Sequence, residues 1–484
     1  MMNIVIFLAV APSSAQQARV GTPTFSWQQS YPIPYQSDPA ILPLGGTELR
    51  ALVGFNGQLY AGNGYWMDSD RHDSALPGAQ VAVLDSPEGT WRVDLQTKGT
   101  CEQSNCGSGL RLYQAISVLD AVTLTTDEAG DALKAPVNFL LAGVWKRGTG
   151  LDIFSRTDRA CTGSSCWLET EIYPSGDPQI RSFGEHKDSR TGVDMVFAGA
   201  ANVIFSGAYA GTNKKSSQAI DWGSKPEWQG PYSAHVRYAG ARISSFANCN
   251  AKLYAAQYNT IYERQDGKSP TWKPIFQTII YDPGTRITGT RGLTCTTGTN
   301  GTDQILLVAL EDNVSRIYSI DLTTNYSVVE ELNISSLLTK ALGTTVRYNI
   351  PAYNDMAVYP DLTRGSCPHL LIGLHPLTPG LSQTYNKRAI VAYYLVRDCH
   401  GAYTLATIPD AQSRPTPGLE SVRTLVSSPF AADPAGTVYA GGFDTGGYSS
   451  WTVDGVSGVV HNTAWAYRGL PITSGAVGGA KGQN

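Results

Sequence analysis

The heptapeptide NGQLYAG, residues 56–62, recurs along the chain in modified form. Its nearest copies are NAKLYAA at 250–256 and GTVYAG at 436–441. Four weaker copies are short apolar runs that also carry a small residue near their end, at 139–143, 195–199, 306–310 and 370–374. Each run is typical of a buried strand, so the repeat determines how the chain is organised.

The spacing of these runs predicts seven similar units. The small residue falls at positions 61, 142, 198, 255, 309, 373 and 440, so successive copies lie 54 to 81 residues apart. That length accommodates one four-stranded sheet with its loops. Because each unit can then bury its faces against its neighbours, we predict an all-β fold, a seven-bladed β-propeller of four-stranded antiparallel blades.

The rest of the chain divides around this repeat. The apolar run at 4–11 is too short to span a bilayer, and with the small residues after it predicts a signal peptide over 1–15. A buried first strand is the alternative. Residues 16–44 form an N-terminal segment, in which 25–31 is the candidate strand that closes the ring. The propeller covers 45–472, and the glycine-rich residues 473–484 are expected to be a disordered tail.

Composition limits the range of partners. The net charge of −4 offers no overall electrostatic support for nucleic-acid binding. No other apolar stretch is long enough for a membrane span. We therefore expect a monomer whose partner is a small anionic molecule or a glycan.

The even number of cysteines indicates an oxidising compartment. The eight cysteines predict four disulfides, although other pairings stay open: Cys101–Cys106, Cys161–Cys166, Cys249–Cys295 and Cys367–Cys399. Together with the leader, they predict a secreted, extracellular protein. Four Asn-x-Ser/Thr sequons would make it a glycoprotein in a host that glycosylates secreted chains, and they start at Asn300, Asn313, Asn325 and Asn333.

An arginine recurs near the start of the strand that we assign to the channel wall. The clear examples are Arg50, Arg181, Arg242, Arg291 and Arg423, and Arg111 is a doubtful sixth. One repeat departs from the pattern and offers Tyr353, Asn354 and Asp355 instead. Inner strands converge on the axis of a propeller, so these guanidiniums are expected to face one small volume and bind an anion there. The alternative is that each arginine pairs with a carboxylate of the neighbouring blade.

Catalytic and metal-binding residues are less clearly indicated. The candidates for a general base are His186, His461 and Tyr353. The cofactor stays unknown: the carboxylates Asp68, Asp70 and Asp73 could hold a divalent metal, but the run lacks the pattern of an EF-hand loop. We assign no metal ligand from the sequence.

The repeat and its aromatic residues resemble a known architecture. Runs of the LYAG type (59–62) and outer strands marked by tryptophan resemble those of secreted seven-bladed propellers of the broad kelch and sugar-binding or sugar-cleaving kinds. The resemblance covers roughly residues 45 to 470. It implies a fold and no catalytic residues, because the chain lacks the Gly-Gly plus Tyr and Trp signature of kelch blades.

These observations lead to three functional hypotheses. The first is a binding protein for an anionic or polyhydroxylated small molecule or glycan, held at the channel mouth by the arginines. In the second, the same site belongs to a lyase or hydrolase of acidic sugars, with or without a divalent metal. The third is a protein-interaction scaffold, which would expose an apolar patch.

Overall fold

A computed structural model gives the structure of most of the chain. The residues that it describes are 22–31, 46–65, 78–99, 112–148, 150–157, 163–173, 179–211, 220–232, 242–279, 289–298, 301–346, 348–360, 368–377, 391–409, 419, 421–443, 450–453, 456–459 and 464–472. The leader at 1–15 and the tail at 473–484 therefore lie outside the described residues.

Seven antiparallel sheets of four strand positions each follow one another along the chain, which confirms the seven-bladed β-propeller. A first strand, β1 (Phe25–Tyr31), precedes them. Blade 1 comprises β2 (Glu48–Phe55), β3 (Gln58–Gly64), β4 (Gln80–Leu84) and β5 (Arg92–Gln96). Blade 2 comprises β6 (Tyr113–Thr126), β7 (Ala132–Lys146), β8 (Leu151–Thr157) and β9 (Leu168–Tyr173). Blade 3 comprises β10 (Ile180–Lys187), β11 (Asp194–Ala200), β12 (Val203–Tyr209) and an outer strand in two pieces, β13 (Ile220–Trp222) and β14 (Trp228–Gln229).

The remaining blades repeat this order. Blade 4 comprises β15 (Ile243–Cys249), β16 (Lys252–Gln257), β17 (Thr260–Gln265) and β18 (Thr271–Gln277). Blade 5 comprises β19 (Gly289–Thr297), β20 (Asp303–Glu311), β21 (Val314–Asp321) and β22 (Ser327–Asn333), and is followed by the helix α1 (Ile334–Leu342). A short strand, β23 (Tyr348–Asn349), pairs with β26 (Pro376–Leu377) beside blade 6. Blade 6 comprises β24 (Ala357–Tyr359), β25 (His369–Gly373), β27 (Val391–Arg397) and β28 (Tyr403–Pro409).

The last blade joins the two ends of the chain. Blade 7 comprises β29 (Ser421–Ser427), β30 (Val438–Phe443) and β33 (Ala464–Pro471), with the hairpin β31 (Ser450–Val453) and β32 (Val456–Val459) inserted before β33. Its fourth strand is β1, which pairs antiparallel with β33 from Phe25 opposite Pro471 onward. This pairing covers the sheet edge that β33 would otherwise leave open.

The small residue of the repeat allows neighbouring blades to approach closely. Gly62 follows Ala61 on β3, and a Cβ atom there would lie 2.7 Å from Cγ2 of Ile116 on the inner strand of blade 2. The equivalent contacts pair Gly143 with Ile180, Gly199 with Ile243, and Gly441 with Leu49. Any side chain larger than hydrogen at these glycines would collide with the next blade, so the glycine of the LYAG run allows the two blades to pack closely.

A β-bulge follows this contact on the inner strand. The register shifts at Arg50 in blade 1, at Arg181 in blade 3 and at Arg423 in blade 7. The same shift falls at Ser117 in blade 2 and at Ser244 in blade 4. A bulge re-aims the side chain of its extra residue, and here these residues sit on the strands that line the channel.

One of the four predicted disulfides is confirmed and one is wrong. Cys249 and Cys295 form a disulfide that links the inner strands of blades 4 and 5. Cys166 is also disulfide-bonded, whereas Cys101, Cys106, Cys161 and Cys367 lie outside the described residues. Cys399 has a free thiol, so the expected bridge to Cys367 is not formed; Cys399 lies in the turn between β27 and β28, in which the Asp398 carboxylate accepts hydrogen bonds from the backbone N–H groups of His400 and Ala402.

None of the helices in the described parts of the chain has the length and hydropathy that a membrane span needs.

Candidate functional site

Three of the predicted arginines surround one tyrosine in the channel. The Cζ atoms of Arg423, Arg181 and Arg50 lie 4.0, 4.8 and 5.3 Å from the ring centroid of Tyr353. Nη2 of Arg50 donates a hydrogen bond of 2.5 Å to the phenolic oxygen, and Nη1 of Arg181 donates one of 3.4 Å. All three arginines are buried. Blades 1, 3 and 7 thus present their bulge residues to the tyrosine that precedes blade 6.

Arg242 and Arg291 belong to the same group. Burial, together with the positive charges of Arg181, Arg423 and Arg242, lowers the pKa of Arg291 to about 10 against the opposing effect of Tyr353. Burial, followed by the charges of Arg50 and Arg242, lowers the pKa of Arg181 to about 10 against the opposing effect of Tyr353. These five side chains, Arg50, Arg181, Arg242, Arg291 and Arg423, are called the arginine cluster below.

The arginine cluster is poorly neutralised. Among the described residues, the only carboxylate in an ion pair with it is Glu48, whose oxygens lie 3.4 Å from Arg50 and 3.6 Å from Arg423. Several guanidinium nitrogens are buried without a hydrogen-bond acceptor, and they are Nε of Arg50, Arg242, Arg291 and Arg423 and Nη1 of Arg423. Buried donors that lack an acceptor are costly, so this volume is suited to an anion.

The guanidiniums around Tyr353 lower the pKa of its phenol. Burial raises the pKa of its phenol, but the guanidiniums of Arg50 and Arg181 outweigh that effect and hold the pKa at about 7. The positive charges favour the phenolate because it is the anionic form. Tyr353 is therefore the second negative group, beside Glu48, that the chain itself supplies to the arginine cluster.

A cavity of about 160 Å³ adjoins the arginine cluster along the channel. Arg181 lines it together with Asn354, Asp355 and Asp120. Nδ2 of Asn354 donates a 2.7 Å hydrogen bond to the backbone oxygen of Arg50, while Oδ1 of Asn354 is buried without a partner. The Asp355 carboxyl reaches solvent within the cavity, but the surrounding protein displaces bulk water and raises its pKa to about 6.

Asp120 is a site residue that the sequence did not single out. Burial, and then the negative charges of Glu185 and Asp355, raise its pKa to about 7. It lies on β6, three residues beyond the bulge residue Ser117. Its only sequence signal is that position on an inner strand, which becomes visible once the strand register is known.

The arginines that hold blades together form a separate set. Arg156, Arg264, Arg397 and Arg468 lie on the third strands of blades 2, 4, 6 and 7. Each has carboxylate partners, and the pairs that join two blades are Arg156–Asp94, Arg264–Asp188, Arg264–Glu227, Arg397–Glu331 and Arg468–Glu88. Most of the inter-blade ion pairs among the described residues are thus made by these third-strand arginines, and within the arginine cluster Arg423 of blade 7 pairs with Glu48 of blade 1.

The histidine candidates are not brought to the arginine cluster. His186 is buried near the far end of β10, where Nε2 lies 3.0 Å from Oδ1 of Asp266. Asp266 also accepts a hydrogen bond from Arg264, so His186 belongs to the network between blades 3 and 4. It is five residues beyond Arg181, roughly 16 Å at the rise of a β-strand, which separates it from the phenol. His461 and Arg111 lie outside the described residues.

The hypotheses of a divalent metal site and of a protein-interaction scaffold gain no support from the described residues. No group of His, Cys, Asp or Glu in those parts of the chain could hold a metal ion, and Asp68, Asp70 and Asp73 lie outside them. The large apolar side chains that are exposed there are scattered over four blades, and they are Ile279, Val329, Val358 and Ile472.

Comparison with solved structures returns carbohydrate-active enzymes at low similarity. The chain is 12% identical to the NanB sialidase from Streptococcus pneumoniae, with a TM-score of 0.37 over 91% of this chain and 70% of that one. For a bifunctional GH43-CE protein from Bacteroides eggerthii the identity is 11% and the TM-score 0.31, over 93% of this chain and 62% of that one. For an endo-arabinase from Bacteroides thetaiotaomicron the identity is 10% and the TM-score 0.29, over 79% of this chain and 97% of that one. No residue role is transferred at these values.

No protein-family model matches the chain, and no curated protein sequence matches it either. The chain is a seven-bladed β-propeller whose inner strands bring five arginines together with Glu48 and Tyr353.

Proposed function

We propose that this propeller binds an anionic or polyhydroxylated small molecule or glycan through the arginine cluster. The single observation that carries the proposal is the grouping of five guanidiniums, three of them around the ring of Tyr353, with Glu48 as their only carboxylate partner among the described residues. With Glu48 and a phenolate counted, the cluster keeps three positive charges. An anion would neutralise them and accept the hydrogen bonds that the buried nitrogens offer.

The electrostatic repulsion between the guanidiniums can be estimated from their distances to Tyr353. Arg181 and Arg423 lie 4.8 and 4.0 Å from the same ring centroid, so their Cζ atoms are less than 9 Å apart. Two unit charges at that separation repel by about 2 kcal/mol at an effective dielectric constant of about 20. Such repulsion destabilises the ligand-free protein, as expected for residues retained for binding.

The third-strand arginines support this interpretation by contrast. Arg264 has Asp188, Glu227 and Asp266 within 2.9 Å, so its charge is fully matched. Arg291 and Arg181 have no carboxylate in ion-pair distance among the described residues. The third-strand arginines thus have one or more carboxylates each, whereas the five arginines of the cluster have Glu48 alone among the described residues, shared by Arg50 and Arg423.

Thermal unfolding with candidate ligands tests the proposal. The panel contains glucuronate, phosphate, sulfate, and the chlorides of magnesium and calcium. A ligand at 100 times its Kd stabilises the protein by about 2.7 kcal/mol. At an unfolding entropy of about 2.1 cal/mol/K per residue, that free energy raises Tm by about 3 °C for a chain of this length.

Matched variants make the result specific. We expect Arg181→Ala to abolish the anion-dependent shift, whereas Arg190→Ala, which removes an exposed arginine, keeps it. The absence of a shift with every anion in the wild type would contradict the proposal, and so would a shift that Arg181→Ala leaves intact.

One observation favours a second function, cleavage of an acidic sugar by a lyase or hydrolase. A phenol with a pKa of about 7 is matched to general-base catalysis at neutral pH, and it lies beside guanidiniums that could neutralise a substrate carboxylate. The assay follows new reducing ends in oligogalacturonate. We expect Tyr353→Phe to lower the rate by about 10²-fold or more. Anion binding without any new reducing ends would leave only the binding function.

We also propose that the protein is secreted and monomeric. The Cys249–Cys295 disulfide and the disulfide-bonded Cys166 support an oxidising compartment. Size-exclusion chromatography of protein purified from the medium of an expressing host would test both statements.

A further inference from the structure

The cavity beside the arginine cluster has two poles of opposite character. Arg181 stands at one pole, 5% exposed and directly beside Arg50 and Tyr353. Asp120 and Asp355 stand at the other, close enough for the charge of Asp355 to raise the pKa of Asp120. A simple anion such as phosphate would gain from the first pole but be repelled by the second.

The remaining walls are suited to a ligand that has hydroxyl groups and an apolar face. Oδ1 of Asn354 is a buried acceptor without a donor. Ser182 and Ser245 also line the cavity; the Ser182 hydroxyl donates to the backbone oxygen of Ile243, and Oγ of Ser245 accepts from the backbone N–H of Leu293. Phe183 and Phe246 supply apolar surface on the same cavity. A cavity lined by a guanidinium, by acceptors for hydroxyl protons and by aromatic rings is complementary to a sugar ring with a carboxylate substituent.

We propose that the ligand is an acidic sugar, a monosaccharide unit whose carboxylate binds the arginine cluster while its hydroxyls donate to Asp120, Asp355 and Asn354. This inference rests on the proposed function and deepens it by naming the ligand class. The cavity volume of about 160 Å³ suits a single sugar unit better than a chain of them.

The state of the carboxyls separates this ligand class from a zwitterion with an ammonium group. An ammonium group would favour ionised carboxylates, because opposite charges stabilise each other. Burial, and then the charges of Glu185 and Asp355, raise the pKa of Asp120 to about 7, so the cavity has a partly protonated carboxyl near neutral pH. Carboxyls of this kind exchange hydrogen bonds with neutral hydroxyls without a counter-charge.

Isothermal titration with four probes tests the inference: glucuronate, glucose, acetate and β-alanine. We expect the wild-type protein to bind glucuronate at least tenfold more tightly than acetate, and to bind glucose and β-alanine weakly. Asp355→Ala should weaken glucuronate binding about tenfold or more and leave acetate binding unchanged, which also shows that the variant is folded. Asp131→Ala, which removes an exposed carboxylate in the turn after β6, should leave both affinities unchanged.

The outcomes distinguish this inference from the proposed function. Equal affinities for acetate and glucuronate would overturn the acidic-sugar assignment while anion binding stands. Preference for β-alanine over glucuronate would overturn it in favour of a zwitterion. If none of the anions binds, the proposed function fails as well.

Discussion

Tyr353 is expected to titrate about three pH units below an ordinary tyrosine. The guanidiniums of Arg50 and Arg181 stabilise its phenolate and place its pKa at about 7, against about 10 in an unfolded chain. A unit charge about 4 Å away contributes about 4 kcal/mol at an effective dielectric constant of about 20. Since one pKa unit corresponds to about 1.36 kcal/mol, removing one guanidinium is sufficient to return the pKa to its ordinary value.

The same shift makes stability depend on pH with a definite sign. Between pH 7 and 10 the folded protein has lost the phenol proton while the unfolded chain keeps it, so the unfolded state binds more protons and stability rises with pH. Over three pH units the contribution of Tyr353 reaches about 4 kcal/mol. It is fully present above pH 10 and is lost as the pH falls through 7.

The assay is the difference in tyrosinate ultraviolet absorbance between the wild type and Tyr353→Phe, followed from pH 5 to 9. We expect one additional phenol to titrate near pH 7 in the wild type. In Arg181→Met this titration should move toward pH 10. A difference spectrum that shows no titration below pH 9, or one that Arg181→Met does not change, would refute the electrostatic account of the channel.

Three further predictions concern the scaffold, and each is checked by denaturant unfolding. Gly62→Ala places a Cβ 2.7 Å from Ile116 and should cost about 1–3 kcal/mol, and a smaller side chain at Ile116 should restore part of it. Arg264→Met removes the positive charge that faces the carboxylates of Asp188 and Glu227 and should cost about 3–5 kcal/mol; a loss below 1 kcal/mol would show that the network contributes little. Cys249→Ser opens a loop of 46 residues and should cost about 4 kcal/mol in the chain-entropy model, and an unchanged stability would show that the link between blades 4 and 5 is dispensable.

The blade number could be predicted from the sequence because the close packing between blades depends on a local run. The repeat is counted on Ala61 and its equivalents, and in four of the runs the residue after this marker is a glycine against which the next blade packs Ile116 or its equivalent. A contact that recurs with the same chemistry leaves a readable period. The strand positions of the repeat were therefore recoverable without knowledge of any long-range contact.

The arginine positions were recoverable only in part. Arg50, Arg181 and Arg423 each occupy the bulge position of their own inner strand. In blades 2 and 4 the same position is occupied by Ser117 and Ser244. Sequence spacing does not reveal a bulge, since the extra residue depends on hydrogen bonding with the neighbouring strand. The five guanidiniums nevertheless meet, because residues near a bulge on any inner strand face the same axis.

The role of His186 could not be read from its neighbours in the sequence. Its partner Asp266 is 80 residues away, in the turn between β17 and β18 of the next blade. The same holds for Asp120, whose acidity depends on Glu185 of blade 3 and on Asp355. Contacts of this kind form between residues of different blades, so neighbouring positions in the sequence do not indicate them.

The most direct test of the anion site compares the unfolding free energy of the anion-free wild type with that of Arg291→Met. Arg291 has unmet charge and like-charged neighbours, so the account predicts that the substitution stabilises the anion-free protein by about 1–2 kcal/mol and removes the further stabilisation by glucuronate. If Arg291 held the blades together, the variant would instead be less stable than the wild type. A loss of stability in anion-free buffer would therefore contradict an anion-binding role for the arginine cluster.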